Sequence, residues 1–552
     1  MKKLSIILLN ACVLSSLAIS AQDNKDEVEL GTEITVVKAY TPSVSDAVKL
    51  KFKPAQLDTS AAKLDLKYSI NPVQYETSYQ LMPIPAARIA RAPLDKLYRN
   101  FARLGFGTHS NLLAELYINS ERDRDWAYGA HLRSFSGKGN FDNLPNSTFS
   151  SQGAELFAKR FFRQYNWVNK AGFNWDKVRY YGTAPEGSQD DSLRQRFFTM
   201  NFASDLFGNH SPYEQPLNHV GIAYHRTTDL FSMEEDEVNI GGRLARPIAE
   251  ELFTLDADLQ FINTRFADTN RQAYFNFTLG PKITAQEGKF NFVLGLNATV
   301  NTDLDGKSTA HFYPNVDVRY ELLEDIFDVY AGLAGGLEQA GLRYHAARNP
   351  FIQSHIDAEV IDENLQFFAG LKGAISSASN FNVGVKYSNF QGFPLYNLNP
   401  DSLSDARIDY FSTVYEDLNR LRLFGELHLE WGGRLSLTGA GYYDVISYSD
   451  DVAARRLPKF HGSITGKYNL RNKLIFSSSL YFRDRVNYFD GSQLHDEALA
   501  AYADINLGVE YRYNNAVSAF LQLNNLANIK YQQHYAYPVQ GFNVLGGFTY
   551  KF

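Results

Sequence analysis

The strongest indication of the fold is the last segment of the chain, Phe542-Asn543-Val544-Leu545-Gly546-Gly547-Phe548-Thr549-Tyr550-Lys551-Phe552. Its residues alternate in character. The large apolar side chains fall on one parity, and the residues between them are mostly polar or small. Because successive side chains of a β-strand point to opposite faces, this alternation predicts a strand with one apolar face and one wetter face.

The same alternation recurs from residue 97 onward, in segments separated by turn residues. Lys289 to Asn301, Phe460 to Arg471 and Tyr502 to Tyr513 are clear cases. Their polar faces include charged side chains, which a dry core tolerates poorly but the wet lumen of a membrane barrel solvates. The pattern predicts an all-β fold, a transmembrane antiparallel up-and-down β-barrel over residues 97–552. The alternative, a soluble periplasmic β-propeller or tandem sandwich, would favour a repeat of about 40 to 50 residues, and the sequence has none.

The links between the segments predict the strand number, because outer-membrane barrels have short periplasmic turns and longer external loops. Short and long links alternate and give about 22 strands, with both ends of the barrel on the periplasmic side. The short links are Pro247 to Glu251, Gln286 to Lys289, Leu323 to Ile326, Ser376 to Asn380, Trp431 to Arg434, Leu470 to Lys473 and Tyr513 to Ala516. The long links are Met233 to Glu237, Asp303 to Thr309, His345 to Asn364, Gly392 to Asp417, Ser447 to Pro458 and Asp490 to Glu497. Asp409 to Val414 is assigned to an external loop, since a strand there would break the even count.

Composition and the first residues predict an exported protein. Hydrophobic residues make up 44% of the chain and aromatic residues 14%, which suits strands better than membrane-spanning helices. Lys2 and Lys3 followed by an apolar stretch predict a signal peptide over residues 1–21. Lipidation at Cys12 is the alternative, and this is the one cysteine of the chain. The formal net charge is -7 and the basic residues are dispersed, so nucleic acid is not an expected partner.

Two stretches resemble the TonB-dependent receptor family of outer-membrane transporters. Phe520 to Tyr531, with the ending Gly546 to Phe552, resembles the last two barrel strands of those receptors. Glu33-Ile34-Thr35-Val36-Val37 resembles the TonB box, the segment that contacts the energy transducer. The resemblance implies a place in the outer membrane of a Gram-negative envelope, among lipid and lipopolysaccharide, and a TonB-like transducer as partner. Such a β-branched segment can add as a strand to the edge of a partner's sheet.

The sequence departs from the family pattern before the barrel. Family members carry a globular plug there, whereas residues 22–96 are predicted to form a short, mostly extended periplasmic tail. A barrel of this width is normally plugged, so we expect the tail, inward-folded loops or a partner to fill the lumen. The predicted function is transport of a nutrient across the outer membrane. The alternative is a non-transporting scaffold or assembly-complex subunit that docks a partner, such as a surface lipoprotein, through its tail.

The terminal strand also predicts a barrel-insertion signal. Phe548, Tyr550 and Phe552 share the apolar parity and lie at the end of the chain. In outer-membrane barrels the barrel-assembly machinery must recognise the last strand before it pairs with the first. We therefore expect these three side chains to direct insertion.

No motif predicts an enzyme, a cofactor or a metal site. Asn301-x-Asp303-x-Asp305-Gly306 is similar to the start of a calcium loop, but Phe312 stands where the bidentate acid is needed, so an acidic hairpin turn is predicted. The sequence also lacks a Gly-x-Ser-x-Gly nucleophile elbow.

Charged residues outside these motifs leave two interpretations open. Glu234 to Glu237 and Asp190-Asp191 are predicted in external loops, either solvated beside lipopolysaccharide or capturing a cationic ligand. Basic residues on the lumen parity are predicted to pair with acids such as Asp504 and Glu510, or to line a path for anions. These basic residues are Lys467, Arg471, Arg483, Arg485 and Arg512.

Overall fold

The structure is a computed structural model that describes residues 98–139, 141, 147–182, 194–211, 215–268, 270–324, 326–398, 411–449, 457–489 and 494–552. Within these ranges one closed antiparallel sheet contains 22 strands. They are β1 (Phe101–Gly107), β2 (Leu112–Asn119), β3 (Trp126–Lys138), β4 (Thr148–Phe161), β5 (Tyr165–Arg179), β6 (Arg194–Gly208), β7 (Leu217–Thr228), β8 (Glu234–Ile248), β9 (Glu251–Arg265), β10 (Arg271–Glu287), β11 (Phe290–Asp303), β12 (Ser308–Leu323), β13 (Phe327–Ala340), β14 (Glu359–Ser376), β15 (Ser379–Leu398), β16 (Phe411–Trp431), β17 (Leu435–Tyr448), β18 (Phe460–Leu470), β19 (Leu474–Arg483), β22 (Tyr502–Arg512), β23 (Val517–Asn524) and β26 (Asn543–Lys551). The predicted signal peptide, the tail of residues 22–96 and the segment Glu33 to Val37 lie outside the described residues.

The remaining described elements lie in the loops at one end of the barrel. β20 (Val486–Phe489) pairs with β21 (Leu494–Leu499), and β24 (Gln532–His534) pairs with β25 (Tyr537–Pro538). The helix α1 (Leu342–Arg348) follows β13, and a 3-10 turn covers Thr108–Ser110. None of the described helices is long and apolar enough to cross a membrane.

The barrel closes between its first and last strands. β1 and β26 are antiparallel, with Phe101 opposite Lys551 and Gly107 opposite Leu545. Closure satisfies the backbone groups that an open edge would expose to lipid. The predicted 22-stranded barrel is confirmed.

Glycines on β1 and β26 leave room for the aromatic ring of Phe520, which packs over the seam between these two strands. The side chain of Phe520 on β23 lies over the lumen face, where a Cβ atom on Gly105 would come within 3.0 Å of its ring and one on Gly547 within 2.7 Å. The guanidinium of Arg103 stacks on the same ring, 4.4 Å from its centroid. A Cβ atom at Gly547 would also collide with the backbone carbonyl oxygen of Leu104 on β1, so the pairing of β1 with β26 requires glycine there.

The two faces of the sheet differ as the alternation predicted. Large apolar side chains point outward, including Phe548 at 69% exposure, Leu294 at 54% and Ile505 at 40%. On β26 the intervening side chains Asn543 and Thr549 point inward and are buried. An apolar outer face against a polar lumen is the arrangement of an outer-membrane barrel, so the protein is placed in the outer membrane.

The seven short links predicted from the sequence are tight turns between consecutive strands. All lie at the end of the barrel where β1 begins and β26 ends. The longer connections lie at the opposite end. By the rule that periplasmic turns are short, the end with longer loops is the extracellular mouth.

Four predicted long links are wrong in their bounds. The first is His345 to Asn364, whose residues 359–364 belong to β14. Glu234 to Glu237 begin β8 instead of lying in an external loop, so the loop before them is confined to residues 229–233. Strand pairing also extends through both ends of the predicted Gly392 to Asp417 loop, and residues 411–414 are the start of β16. Because they extend a strand without adding one, the even count is unaffected. The predicted loop from Asp490 to Glu497 contains the start of β21.

Candidate functional site

The connection between β13 and β14 forms a strap across the extracellular mouth. The strap consists of residues 341–358 and includes α1. Four of its side chains are at most 1% exposed: Leu342, His345, Ile352 and Ile356. It contacts β8, which lies five strands from β13 around the sheet, and Tyr180, just after β5, which lies eight strands away. In the other direction it contacts β16 and the loop between β23 and β26. The strap therefore reaches most of the barrel circumference.

One end of the strap is anchored to the wall by a buried carboxylate. Glu235 on β8 is 2% exposed and accepts hydrogen bonds from the backbone N–H groups of Leu342 at 2.5 Å and Arg343 at 2.9 Å. These are donors of the first turn of α1, which have no partner inside the helix. Its neighbour on the same face, Glu237, accepts a hydrogen bond from Nε of Arg343 at 2.8 Å. A Cβ atom on Gly341 would collide with Glu235, so the approach requires glycine.

This anchor explains why Glu234 to Glu237 form a strand although the sequence indicated a loop. Glu235 and Glu237 point inward to the strap, whereas Glu234 and Asp236 point outward and form ion pairs with Arg226 and Arg265 on the neighbouring strands. All four acids have partners, so the run need not lie in water. The run of charges in the sequence could not reveal these partners, because they are distant in sequence.

A buried histidine joins the strap to the opposite wall. His345 lies between two phenols, with Nδ1 3.1 Å from the hydroxyl of Tyr396 on β15 and Nε2 2.9 Å from that of Tyr415 on β16. Burial lowers the pKa of His345 from 6.5 to about 4. The ring is therefore neutral at pH 7 and joins α1 to two strands.

An aromatic cluster holds the second half of the strap. The ring of Phe351 stacks on Tyr537 with centroids 3.8 Å apart, and Tyr181 packs edge-on against both. The backbone adds to this contact, because Phe411 at the start of β16 exchanges hydrogen bonds with Phe351 and Gln353. Together with Leu342, Ile352 and Ile356 in the adjoining apolar core, these residues make the strap a packed element of the mouth.

Among the lumen charges predicted from the sequence, Arg512 pairs with an acid as expected, whereas Asp504 and Arg483 have other partners. Arg512 lies 3.4 Å from Glu510, and Asp504 accepts a hydrogen bond from Tyr531 at 2.8 Å. Arg483 donates to the backbone carbonyl of Gln532 at 2.7 Å, so it supports the loop around β24. These residues stabilise the wall and its loops.

The motif similar to a calcium loop has a structural role in a turn. Asp303 caps a hairpin turn by accepting a hydrogen bond from the N–H of Lys307, and Gly306 has a φ of 78° there. Among the described residues no group of three or more His, Cys, Asp or Glu side chains could hold a metal ion. Phe548, Tyr550 and Phe552 expose their rings on the outer face or at its lower edge. Asp190-Asp191 and the TonB-box-like segment lie outside the described residues.

Comparison with known proteins agrees with this architecture. No protein-family model matches the chain. The ferric-pyoverdine BN7/BN8 receptor of Pseudomonas putida is 25% identical over 268 residues, which are 46% of this chain and 29% of the receptor. The chain thus matches less than a third of the length of that curated relative.

Solved structures resemble the chain over most of its length. The FrpB iron transporter from Neisseria meningitidis (F3-3 variant) matches with a TM-score of 0.62 at 12% identity, over 83% of this chain and 82% of that one. The siderophore receptor PiuA from Acinetobacter baumannii matches with a TM-score of 0.60 at 12% identity, over the same shares. A closed barrel with an apolar outer face and a strapped mouth defines this chain as an outer-membrane β-barrel protein. Its fold is that of the TonB-dependent receptor barrel, as the resemblance of its last strands predicted.

Proposed function

We propose that the protein is a gated outer-membrane conduit for a nutrient, closed at its extracellular mouth by the strap. The observation that carries the proposal is the strap itself, a packed segment that reaches from β8 to β16 across the lumen. Barrels of 22 strands enclose a lumen that transporters keep obstructed. A barrel that served only as an anchor would have no need of so many contacts across its mouth.

The contacts of the strap suit a gate. Several of them are polar and local: a carboxylate at the start of α1, one histidine between two tyrosines and a short backbone pairing at Phe411. Such bonds can be exchanged for water when a segment moves, because water supplies equivalent partners. These polar contacts can therefore break without a change in the barrel strands, and the main cost of opening is the exposure of the apolar side chains of Leu342, Ile352 and Ile356.

The proposed class of cargo is a small solute, and the proposed energy source is a periplasmic transducer. The similar proteins are an iron transporter and siderophore receptors, which favours transport over catalysis or scaffolding. Glu33 to Val37 is proposed to contact the transducer by adding a strand to its sheet. Val36→Pro removes a backbone donor from such a pairing, whereas Val36→Ala keeps it. We expect only Val36→Pro to lose in-cell cross-linking of this segment to the transducer, and equal cross-linking of both variants would contradict the proposed contact.

Single-channel conductance in planar bilayers tests the conduit. Four forms of the purified protein are compared: the full chain, the chain with residues 341–358 replaced by a short Gly-Ser linker, the chain without residues 23–93, and the doubly altered chain. We expect the full chain to be silent and at least one form with the linker to conduct. If all four are silent although each migrates as a folded, heat-modifiable barrel, the conduit is refuted and the scaffold is favoured.

A further inference from the structure

A niche in the lumen wall lies below the anchor of the strap. It is a cavity of about 420 Å³ between β3 and β7. One row of inward-facing residues crosses it in register: His131 opposite Glu155, then Gly172, Asn201 and His225. His225 is in turn opposite Glu237, the acid that holds Arg343 of the strap. A solute in the niche would lie beside the contact that closes the mouth.

Small residues create the niche. Gly153, Gly172 and Ala203 occupy inward positions on three adjacent strands and add no long side chain to the lining. A Cβ atom on Gly172 would come 2.5 Å from the carbonyl oxygen of Ala154, so this strand pairing requires glycine as well. The volume falls within the range of about 300 to 1,000 Å³ that is usual for small-molecule sites.

The charged groups around the niche have no charged partners. Arg133, Glu155 and Lys170 point into it, and none of the three forms an ion pair with another described residue. Arg133 donates one hydrogen bond, to the amide oxygen of Asn174 at 3.0 Å, which holds its guanidinium at the edge of the niche. This contrasts with other lumen charges, such as Arg422 with Asp444, which pair at 2.7 Å.

Hydrogen-bonding groups complete the lining. The amide oxygen of Asn201 accepts a hydrogen bond from Nδ1 of His225 at 2.7 Å, and both residues line the niche. The ring of His131 stacks on Tyr117 with centroids 3.9 Å apart, and its Nε2 has no hydrogen-bond partner among the described residues. The niche thus offers two cations, one carboxylate and several neutral polar groups around a floor of small residues.

We propose that this niche binds a small hydroxylated organic anion, a deepening of the conduit function on which it rests. The planar fork of Arg133 suits a carboxylate or a phosphate, which it can bind with two parallel hydrogen bonds. Lys170 adds a second positive charge across the niche. With Arg133, Lys170 and Glu155 ionised and the histidines neutral, the net charge of the site is about +1. Glu155 and the two asparagines accept from and donate to hydroxyl groups on the body of the solute.

Calorimetric titration of the purified full chain at low ionic strength tests the niche. The probes are gluconate, which carries a carboxylate, glucose 6-phosphate, which carries a phosphate, and glucose, which carries neither. We expect at least one anion to bind and glucose to bind at least tenfold more weakly. Arg133→Gln and Ala203→Leu should each weaken the anion at least tenfold, the first by removing the charge and the second by filling the niche.

A matched control removes a lumen charge elsewhere. Lys372→Gln takes away an ammonium that lies 3.5 Å from Asp328 on a different part of the wall, and it should leave binding unchanged. Absence of heat with both anions, or unchanged binding in Arg133→Gln and Ala203→Leu, would overturn the niche. Because binding is measured without transport, a conducting barrel that binds neither anion refutes the niche alone, whereas a barrel that binds but never conducts refutes the conduit alone.

Discussion

Replacing Glu235 by alanine should release the strap from the wall. The carboxylate is 2% exposed and is the hydrogen-bond acceptor for the N–H groups of Leu342 and Arg343. A buried donor left without a partner costs about 1 to 3 kcal/mol, so two of them place the cost of docking at about 2 to 6 kcal/mol. Release returns both groups to water and avoids that cost. Glu235→Ala should therefore favour the open strap.

Hydrogen exchange of the backbone amides of residues 342–349 measures this opening. A change of 2 kcal/mol corresponds to about a 30-fold faster exchange, and each further ~1.4 kcal/mol multiplies the rate by about ten. The exchange depends on the strap itself, whatever else occupies the lumen. The barrel strands should keep their protection, which also shows that the variant folds.

Glu234→Ala is the matched control. Glu234 is the preceding residue of the same strand, but its carboxylate points outward to Arg226 and Arg265 and is 36% exposed. Loss of an exposed pair changes stability by about 0 to 1 kcal/mol, and the strap should exchange as in the unaltered protein. Unchanged protection of the strap in Glu235→Ala, or equal loss in both variants, would refute the role of the anchor.

Three further predictions concern the strap and the last strand. Lowering the pH should loosen the strap, because docking buries His345 in its neutral form. This contribution to the free energy of docking is fully present above pH 6.5, and up to about 3 kcal/mol of it is lost as the pH falls toward 4. Proteolysis of the strap should therefore accelerate over this range, and less steeply in His345→Gln than in the unaltered protein. Gly341→Ala should increase proteolysis of the strap, because the new Cβ atom would meet the carboxylate of Glu235. Gly336→Ala is the control, since a Cβ atom there has no heavy atom within 4 Å. Equal digestion of the two variants would contradict the close approach of Gly341 to Glu235. Phe552→Ala should lower the heat-modifiable fraction of protein in the outer membrane, and unchanged insertion would count against the terminal signal.

Residues that are neighbours in sequence were sufficient to predict the barrel. The side-chain period of a strand is two, so the spacing of Phe548, Tyr550 and Phe552 places them on one face whatever the partner strand is. The turn chemistry is equally local, and for this reason short links such as Leu470 to Lys473 were placed correctly. The order of strands follows, because an up-and-down barrel pairs each strand with the next.

Loop bounds were less predictable, because polar character has two causes. Glu234 to Glu237 suggested a solvated loop, since four adjacent acids repel one another unless cations or donors approach them. Arg226, Arg265 and the strap provide those partners, and each comes from another part of the chain. A single sequence shows the acids but not which groups the fold brings to them.

The class of fold, the strand number and the face of each strand could be predicted from the sequence, because these depend on local alternation and on turns. Only the tertiary structure decided that residues 341–358 cross the mouth, that Glu235 meets the start of α1, and that His345 lies between Tyr396 and Tyr415. The niche is likewise a tertiary feature, since Arg133, Glu155 and Lys170 come from three strands. Closing the sheet brings side chains from distant parts of the chain together across the lumen. Such contacts produce no periodic pattern in the sequence, and for this reason they could not be predicted from it.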